Sequence, residues 1–311
     1  MTPPSRSGPD AHPGRTSGIL AITTTAALWG TTGTAATFAP EAGPLAIGSA
    51  ALGVGGLLQA VVAIRPLWRQ RSLVANHAWL LLIGALAVVG YPLAFYSSMH
   101  LAGVAVGTAV SLASAPLFSG VTEWVVDRRA PSRTWCVAAG LGVIGTGLTS
   151  AAHGGGHGSA TVWGVLLGLA AGLTYAVYSW VVQRMLAQGV GRAAAMGAVF
   201  GLGGLGLMPV LLVTGAPLVA GPSAFTVAAY MSLVPMFAGY LFFGYGLTRV
   251  PASTATTITL LEPAVAALLA VVVVGERLGW LGWLGLVVLG CSLVVLISPL
   301  RRRPDPPLTP S

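Results

Sequence analysis

A glutamate followed directly by a proline lies midway along an apolar stretch, residues 251–274. In a bilayer, an ionised carboxylate at this depth costs several kcal/mol, so Glu262 is a functional candidate. It can bind a cationic or amine ligand, or it can take up a proton. The alternative is structural: Pro263 removes a backbone donor and disrupts the helix, and Glu262 can then cap donors loosened by the break.

Aromatic side chains in the middle of other apolar stretches form a second candidate set for a binding site. They are Trp29, Tyr91, Tyr96, Tyr175, Tyr178 and Tyr240. Buried Trp and Tyr rings can stack on an apolar ring or hold an amine through cation–π contact. The alternative for each is ordinary packing, or a place in the aromatic belt at a membrane surface.

Hydroxyl side chains are weaker candidates for the same site. Thr32 and Ser111 lie within apolar stretches, where a hydroxyl often bonds only to the carbonyl one turn back. His153 and His157 lie in a glycine loop without a nearby carboxylate, which is a poor metal site. The sequence has no phosphate-binding loop, nucleophile elbow or zinc-protease helix. We therefore expect no catalytic residues, no bound metal and no cofactor, and we do not predict an enzyme.

The elements that must position these residues follow from composition. Of the 311 residues, 55% are hydrophobic and 7% are charged, whereas a soluble domain has about 25% charged residues. Too few charges exist to cover the surface of a soluble protein of this size. The net charge of +8 does not indicate nucleic-acid binding, because the basic residues lie between apolar segments. Lipid is therefore the predicted solvent.

Ten apolar stretches have about the 17–25 residues that a helix needs to cross a bilayer. They cover residues 17–38, 44–64, 78–99, 103–124, 134–151, 161–184, 193–213, 225–246, 251–274 and 279–298. The first is predicted to be a membrane helix and not a signal peptide, because Pro40 follows its best cleavage site. The predicted fold class is an all-α integral membrane protein with ten transmembrane helices.

The arginines give this bundle a direction. With the N-terminus inside, the tails and the even-numbered loops hold all of the 15 basic residues except Arg277. This asymmetry follows the positive-inside rule and predicts that both termini are cytoplasmic. Residues 1–16 and 299–311 are rich in Pro and polar residues, so they are predicted to be disordered cytoplasmic tails.

The two halves of the chain repeat each other. The matching pairs are Gly18 with Gly164, Trp29 with Tyr175, Phe95 with Phe242 and Pro116 with Pro263, at offsets of 146 or 147 residues. The predicted units are residues 17–151 and 161–298, with five helices each. An odd number of helices makes the second copy enter the membrane from the opposite side. Such inverted repeats place a shared cavity near the midplane, and rocking one half against the other gives alternating access.

Several segments resemble the EamA-type family of the drug/metabolite transporter superfamily. They are Leu28-Trp29-Gly30, Ala105 through Pro116, Gly246 through Ser253, Leu261-Glu262-Pro263-Ala264 and Gly275-Glu276-Arg277-Leu278. The first half departs from this pattern, since it reads Val126-Asp127-Arg128-Arg129 where the second half has Gly-Glu-Arg. The resemblance implies that helices one, three, four, six, eight and nine surround the cavity.

The predicted function is a secondary active transporter in a bacterial cytoplasmic membrane. The resemblance implies an exporter of a small metabolite, amino acid or drug-like compound. The position of Glu262 predicts that the energy comes from protons through this residue, or else from the substrate's own gradient. An importer, exchanger or facilitator of the same fold is an alternative. A scaffold or lipid-handling protein is an alternative from another class. The expected partners are a small-molecule substrate and the lipid bilayer, together with protons where Glu262 couples transport, and no nucleic acid.

Overall fold

The computed structural model describes residues 14–102, 104–128, 130–151, 159–274 and 279–297, and within these ranges it contains helices and no strands. The long helices are α1 (Arg15–Ala36), α2 (Pro44–Val62), α3 (Ala78–Ala102), α4 (Val104–Asp127), α5 (Arg133–Ala151), α6 (Ser159–Ala187), α7 (Arg192–Thr214), α8 (Pro222–Leu247), α9 (Ala252–Val273) and α10 (Trp280–Ile297). Short helices Ile64–Arg69 and Arg71–Asn76 connect α2 to α3, and Ala216–Val219 precedes α8.

Among the described residues, six helices are long and apolar enough to cross a membrane: α2, α3, α6, α7, α8 and α9. The apolar segment of α10, Trp280–Leu296, is shorter. Threonines such as Thr23, Thr24 and Thr25 make α1 less apolar than these helices. The chain is thus a multi-pass helical membrane protein, while the count of ten spans and the cytoplasmic termini stay predictions.

The helix ends lie within three residues of the predicted spans. The start of α8 shows why they differ: Pro222 occupies the first turn of the helix, where its missing N–H group would have no partner in any case. The predicted tail after residue 298, His153, His157 and the Gly275–Leu278 segment lie outside the described residues, as does most of the tail before residue 17.

Two of the prolines inside the spans coincide with a change in helix winding. Pro235 lies in a π-helical stretch, Ser232–Ala238, within α8. Pro263 follows a 3-10 turn, Thr259–Leu261, within α9. Because proline removes a backbone N–H group, the preceding turn loses one of its hydrogen bonds. Both irregular turns lie beside the aromatic cluster described below.

The packing partners of the two halves match. α3 packs along α6 and α1 packs along α8, while α4 contacts α6 and α1 contacts α9. α2 packs on α7, and α5 packs on α10. Exchanging the first five helices for the last five turns the α3–α6 pair into α1–α8 and the α4–α6 pair into α1–α9, and it leaves the pairs α2–α7 and α5–α10 unchanged. Two repeats related by a pseudo-two-fold axis produce this pattern.

Glycines set how closely α6 approaches the first half. Gly164, Gly168 and Gly172 lie one turn apart and face α3 and α4. A Cβ atom at Gly164 would lie 2.6 Å from the Ala102 nitrogen, and one at Gly172 would lie 2.8 Å from the Ser111 carbonyl oxygen. Small residues at a helix interface in a membrane allow such backbone approach. This close packing brings the aromatic residues of α6 next to those of α3.

Candidate functional site

Aromatic rings from five helices form one continuous cluster in the middle of the bundle. Its members are Trp29, Tyr91, Phe95, Tyr96, Tyr175, Tyr178, Phe200, Tyr240 and Phe243. Ring centroids in contact lie between 4.4 and 6.2 Å apart, which is the usual range for aromatic pairs. The structure thus brings together all six aromatic residues that the sequence singled out.

Trp29 joins the two halves at the centre of this cluster. Its ring lies 5.9 Å from that of Tyr175 and 4.8 Å from that of Tyr240. Its Nε1 atom donates a 2.9 Å hydrogen bond to the Pro235 carbonyl oxygen. Gly239 allows this contact, since a Cβ atom there would lie 2.9 Å from Trp29 Nε1. The indole N–H group is therefore committed to α8 and is not free for a ligand.

Two hydrogen bonds hold Tyr175 and Tyr178 of α6 in the part of the cluster that does not line the open space. The hydroxyls of Tyr178 and Tyr240 lie 2.8 Å apart, and the Tyr175 hydroxyl lies 2.8 Å from Thr259 Oγ1. Tyr175 and Tyr178 are fully buried. They therefore form the back of an aromatic wall, and other residues line the open space in front of it.

That space is a cavity of about 20 Å³, which is room for one water molecule. Its lining consists of Trp29, Thr32, Gly48, Ala51, Leu52, Tyr91, Pro92, Phe95, Tyr96, Met236, Tyr240 and Glu262. Thr32 reaches it, but its hydroxyl donates a 2.7 Å hydrogen bond to the Trp29 carbonyl oxygen. The cavity in this conformation holds a small polar group and no larger molecule.

Glu262 provides the carboxylate of this cavity. It is 7% exposed, and its Oε2 atom is buried without a hydrogen-bond partner among the described residues. The capping contact that Pro263 suggested is therefore not made by this oxygen. α1 passes close by: a Cβ atom at Gly30 would lie 2.9 Å from the Glu262 carbonyl oxygen. No arginine or histidine belongs to the described lining.

The structure differs from the sequence expectation in which helices reach the cavity. Ser111 does not reach it, because its hydroxyl donates to the Gly107 carbonyl oxygen at 2.7 Å and α4 faces α6 there. No side chain of α4 or α6 belongs to the described lining, whereas α2 contributes three residues. Gly48 makes this possible, since a Cβ atom there would lie 2.6 Å from the Tyr96 ring. Sequence reasoning missed α2 and Phe200, and only the glycine spacing of these helices hinted at them.

One end of the bundle is joined by charged side chains. This arginine-rich end contains the end of α4, the end of α6 and the start of α9. The Glu123 carboxylate accepts hydrogen bonds from the Ser253 backbone N–H and hydroxyl, at 2.8 and 2.7 Å. Asp127 accepts from Trp180 Nε1 at 2.9 Å and forms an ion pair with Arg184 at 3.1 Å. The two halves are therefore tied together across this end.

A glutamine completes the connection between α6 and α9 at the arginine-rich end. Gln183 Nε2 donates to the Val250 carbonyl oxygen at 3.0 Å, and the Ala252 N–H donates to Gln183 Oε1 at 3.1 Å. The second bond satisfies the Ala252 N–H group in the first turn of α9, which has no partner within the helix. Together with Glu123, Gln183 fixes the first turn of α9 against two other helices.

The opposite end of the bundle has a cleft of about 620 Å³ between α1, α8 and the end of α9. Its lining consists of Thr31, Thr34, Ala35, Phe38, Pro222, Ser223, Thr226, Val227, Tyr230 and Leu269. Hydroxyls bridge α1 and α8 along its wall: Tyr230 donates to Thr31 Oγ1 at 2.8 Å, and Ser223 donates to the Phe38 carbonyl oxygen at 2.8 Å. No charged side chain belongs to the described lining.

This fold and site define a class: a helical membrane protein of two repeats around an aromatic cavity with one buried carboxylate. The EamA-like transporter family matches the chain twice, over residues 16–151 and 162–298. The chain therefore belongs to this family, within the drug/metabolite transporter superfamily, and it is a membrane transporter.

Individual relatives agree with this assignment. The chain is 33% identical over 287 residues to "Uncharacterized transporter YwfM" of Bacillus subtilis (strain 168), with 91% of this chain and 95% of that protein covered. It is 29% identical over 264 residues to "Probable terminal-alkyne amino-acid exporter" of Streptantibioticus cattleyicolor, with 80% and 86% covered. A protein of known crystal structure superposes with a TM-score of 0.75 at 19% identity, covering 91% of this chain and 96% of that one, and it supports the fold alone.

Proposed function

We propose that this transporter is a secondary exporter of a small organic molecule that works by alternating access, with its substrate site at the aromatic cavity. The observation that carries the proposal is the arrangement along the bundle. A small cavity with a carboxylate lies between the repeats, one end is tied by charged side chains, and the other end has a cleft of about 620 Å³. An alternating-access transporter needs a central site with one end closed at a time.

The relation between the two halves supports the rocking motion. Each repeat contributes five helices, so the second copy has to be inverted with respect to the first. The interhelix contacts exchange when the halves are exchanged, so a second arrangement with the roles of the two ends reversed has similar packing. A transporter that alternates between two states of comparable free energy requires this property.

The arginines support the direction of the molecule in the membrane. The described arginines of the loops lie at the end where Glu123 and Asp127 are bound, and the positive-inside rule makes that end cytoplasmic. The tied end then faces the cytoplasm, and the cleft faces outward. In this orientation the conformation corresponds to a transporter that has closed its inner end.

Glu262 is the proposed coupling residue. The titratable side chains near it in the cluster are Tyr91, Tyr96, Tyr175 and Tyr240, and the described cavity lining has no arginine or histidine. Burying an ionised carboxylate without a partner is costly. A proton or a cationic ligand therefore has to accompany the carboxylate when the cavity closes, and the two can be exchanged in opposite directions.

The name of one relative supports export of an amino acid or a related metabolite. The Streptantibioticus protein is named as an exporter of a terminal-alkyne amino acid, and an amino acid combines an ammonium group with an apolar side chain. The aromatic walls and the carboxylate of the cavity suit both parts of such a molecule.

Counterflow in proteoliposomes tests the proposal. Vesicles with the purified full-length protein are loaded with unlabelled compounds from a panel of amino acids and amines, and uptake of the same labelled compound is measured with and without a pH gradient. We expect saturable counterflow for at least one compound, and faster efflux of the loaded compound when an inwardly directed proton gradient is imposed. Absence of counterflow across the panel, with protein that binds one of its compounds, would contradict transport.

A further inference from the structure

We infer that the ligand of the aromatic cavity is recognised through a primary ammonium group, held between the Glu262 carboxylate and the faces of the surrounding rings. This inference names the substrate class of the proposed transport site, and it rests on that proposed function for its biological role. The ligand chemistry itself follows from the cavity.

The first argument is the unpartnered carboxylate oxygen. Glu262 is 7% exposed, and no described residue donates a hydrogen bond to its Oε2 atom. A buried acceptor left unpaired is costly, and an ionised one more so. The described lining contains no arginine or histidine, and the chain has no lysine. A ligand that carries N–H groups would supply the missing donor.

The second argument is that most of the protein's own donors around the cavity are already used, and that only the Tyr91 and Tyr96 hydroxyls of the described lining make no hydrogen bond to a described residue. Trp29 Nε1 donates to the Pro235 carbonyl oxygen, and the Thr32 hydroxyl donates to the Trp29 carbonyl oxygen. The Tyr240 hydroxyl is paired with that of Tyr178. An anionic ligand would find a carboxylate and few donors, whereas a cation with N–H groups finds an acceptor that lacks a partner.

The third argument is the aromatic lining. Trp29, Tyr91, Phe95, Tyr96 and Tyr240 line the same cavity as the carboxylate. The faces of such rings attract a cation, and the attraction is strongest for tryptophan and grows when the cation is desolvated. A carboxylate enclosed by several rings is therefore suited to an organic cation and poorly suited to an anion.

The size of the cavity in this conformation favours a small cationic head group. A volume of about 20 Å³ holds a group of the size of one water molecule. A primary ammonium group is of that size, whereas a trimethylammonium group is several times larger. The apolar part of the ligand needs a more open arrangement of the same rings. The predicted class is therefore a primary amine on an apolar body.

Binding of four probes to the purified full-length protein in nanodiscs at neutral pH tests this inference. The probes share a phenyl ring: 2-phenylethylamine, 2-phenylethanol, 3-phenylpropionate and phenyltrimethylammonium, measured by calorimetry. We expect the primary amine to bind at least tenfold more tightly than each of the others. Equal affinities, or tighter binding of any of the other three probes, would overturn the inference.

Two variants test whether the Glu262 carboxylate causes the preference for the primary amine. Glu262→Gln is expected to reduce amine affinity to that of the alcohol, while the affinity for the alcohol stays within twofold. The matched control is Glu41→Gln, which makes the same chemical change at an exposed position outside the cavity and is expected to keep the full preference. Amine selectivity that survives Glu262→Gln in folded protein would remove the carboxylate from the argument.

Failure of the ligand class and failure of transport are distinguishable. Counterflow of a neutral or anionic compound by a protein that does not select the amine would leave the transporter intact and refute the ligand class. Selective amine binding without counterflow of any compound that binds would support the site and refute transport.

Discussion

The two ends of the helix bundle are built from equivalent helices, yet they are held in different ways. At the arginine-rich end, Gln183 and Arg184 of α6 bind α9 and α4. The repeat offset of 146 places Thr37 and Phe38, which directly follow α1, at the corresponding positions, and Phe38 lines a cleft of about 620 Å³. The backbone arrangement is repeated, and the side chains at the two ends differ.

The different side chains at the two ends explain how a protein built from two repeats can favour one of two access states. Two identical repeats would make the two access states equal in free energy. Charged and amide side chains hold the arginine-rich end, whereas the described links along the cleft come from hydroxyls. In the proposed transport cycle, the charged contacts therefore favour the conformation in which the arginine-rich end is closed. The substitutions below change one end, the other end or the site between them.

The largest effect is expected at the central site, which both ends share. Glu262→Gln removes the group that proton and ligand are proposed to exchange on, so pH-driven transport should be abolished, while facilitated movement along a substrate gradient can remain. Proteoliposome flux with and without a pH gradient measures this. Thermal stability of the variant checks folding. A pH response equal to that of the unchanged protein would exclude Glu262 as the coupling residue.

The next effect is expected from loosening the tied end. Glu123→Gln weakens two charge-assisted hydrogen bonds to Ser253, which is worth about 1 kcal/mol at a half-buried position and corresponds to about a fivefold change in population. The measurement is the alkylation rate of Ala255→Cys, since Ala255 is buried one turn into α9. The exposed cysteines Cys136 and Cys291 are first replaced by serine, so that the new cysteine alone reacts. Its alkylation rate should rise about fivefold.

A second cysteine controls for general loosening of that variant. Thr34→Cys reports on the cleft at the opposite end, and Glu123→Gln should leave its alkylation rate unchanged or lower it. Faster alkylation at both ends would mean that the bundle is destabilised as a whole, and the proposed role of Glu123 in holding one end would be refuted.

A smaller effect is expected from filling the cleft. Thr34→Trp places a large ring between α1 and α8, and we expect it to slow transport about threefold by obstructing release, while amine binding stays within twofold. Thr24→Trp is the matched control, because Thr24 is exposed on the same helix and does not line the cleft. Equal effects of the two substitutions on flux would show that the cleft is not on the transport route.

The smallest effect is expected from the ion pair. Arg184 is 44% exposed in its contact with Asp127, and exposed ion pairs contribute about 0–1 kcal/mol. Arg184→Gln should therefore change alkylation at Ala255→Cys by less than twofold, well below the effect of Glu123→Gln. A change larger than that of Glu123→Gln would reverse the assignment of the main closing contact.

The parts of the site that could be predicted are those encoded by a residue in an unusual context. Glu262 stands out because a carboxylate is rare in an apolar span, and Trp29 and Tyr175 stand out because the repeat aligns them. The helix ends were predictable for a similar reason, since proline, glycine and arginine interrupt the apolar runs. Ser111 shows the limit: a serine in an apolar span has the same sequence signal whether it lines a cavity or bonds to its own helix.

The sequence by itself determined the class of protein, the helices, the repeat and the identity of the buried carboxylate, because these depend on local composition and spacing. Only the tertiary structure decided that α2 lines the cavity in place of α4 and α6, and that the Trp29 N–H binds α8. The physical reason is that lipid and protein interior are equally apolar. The sequence of a membrane helix therefore does not show which of its faces turns toward the cavity. Close packing decides this, at glycines such as Gly48 and Gly172.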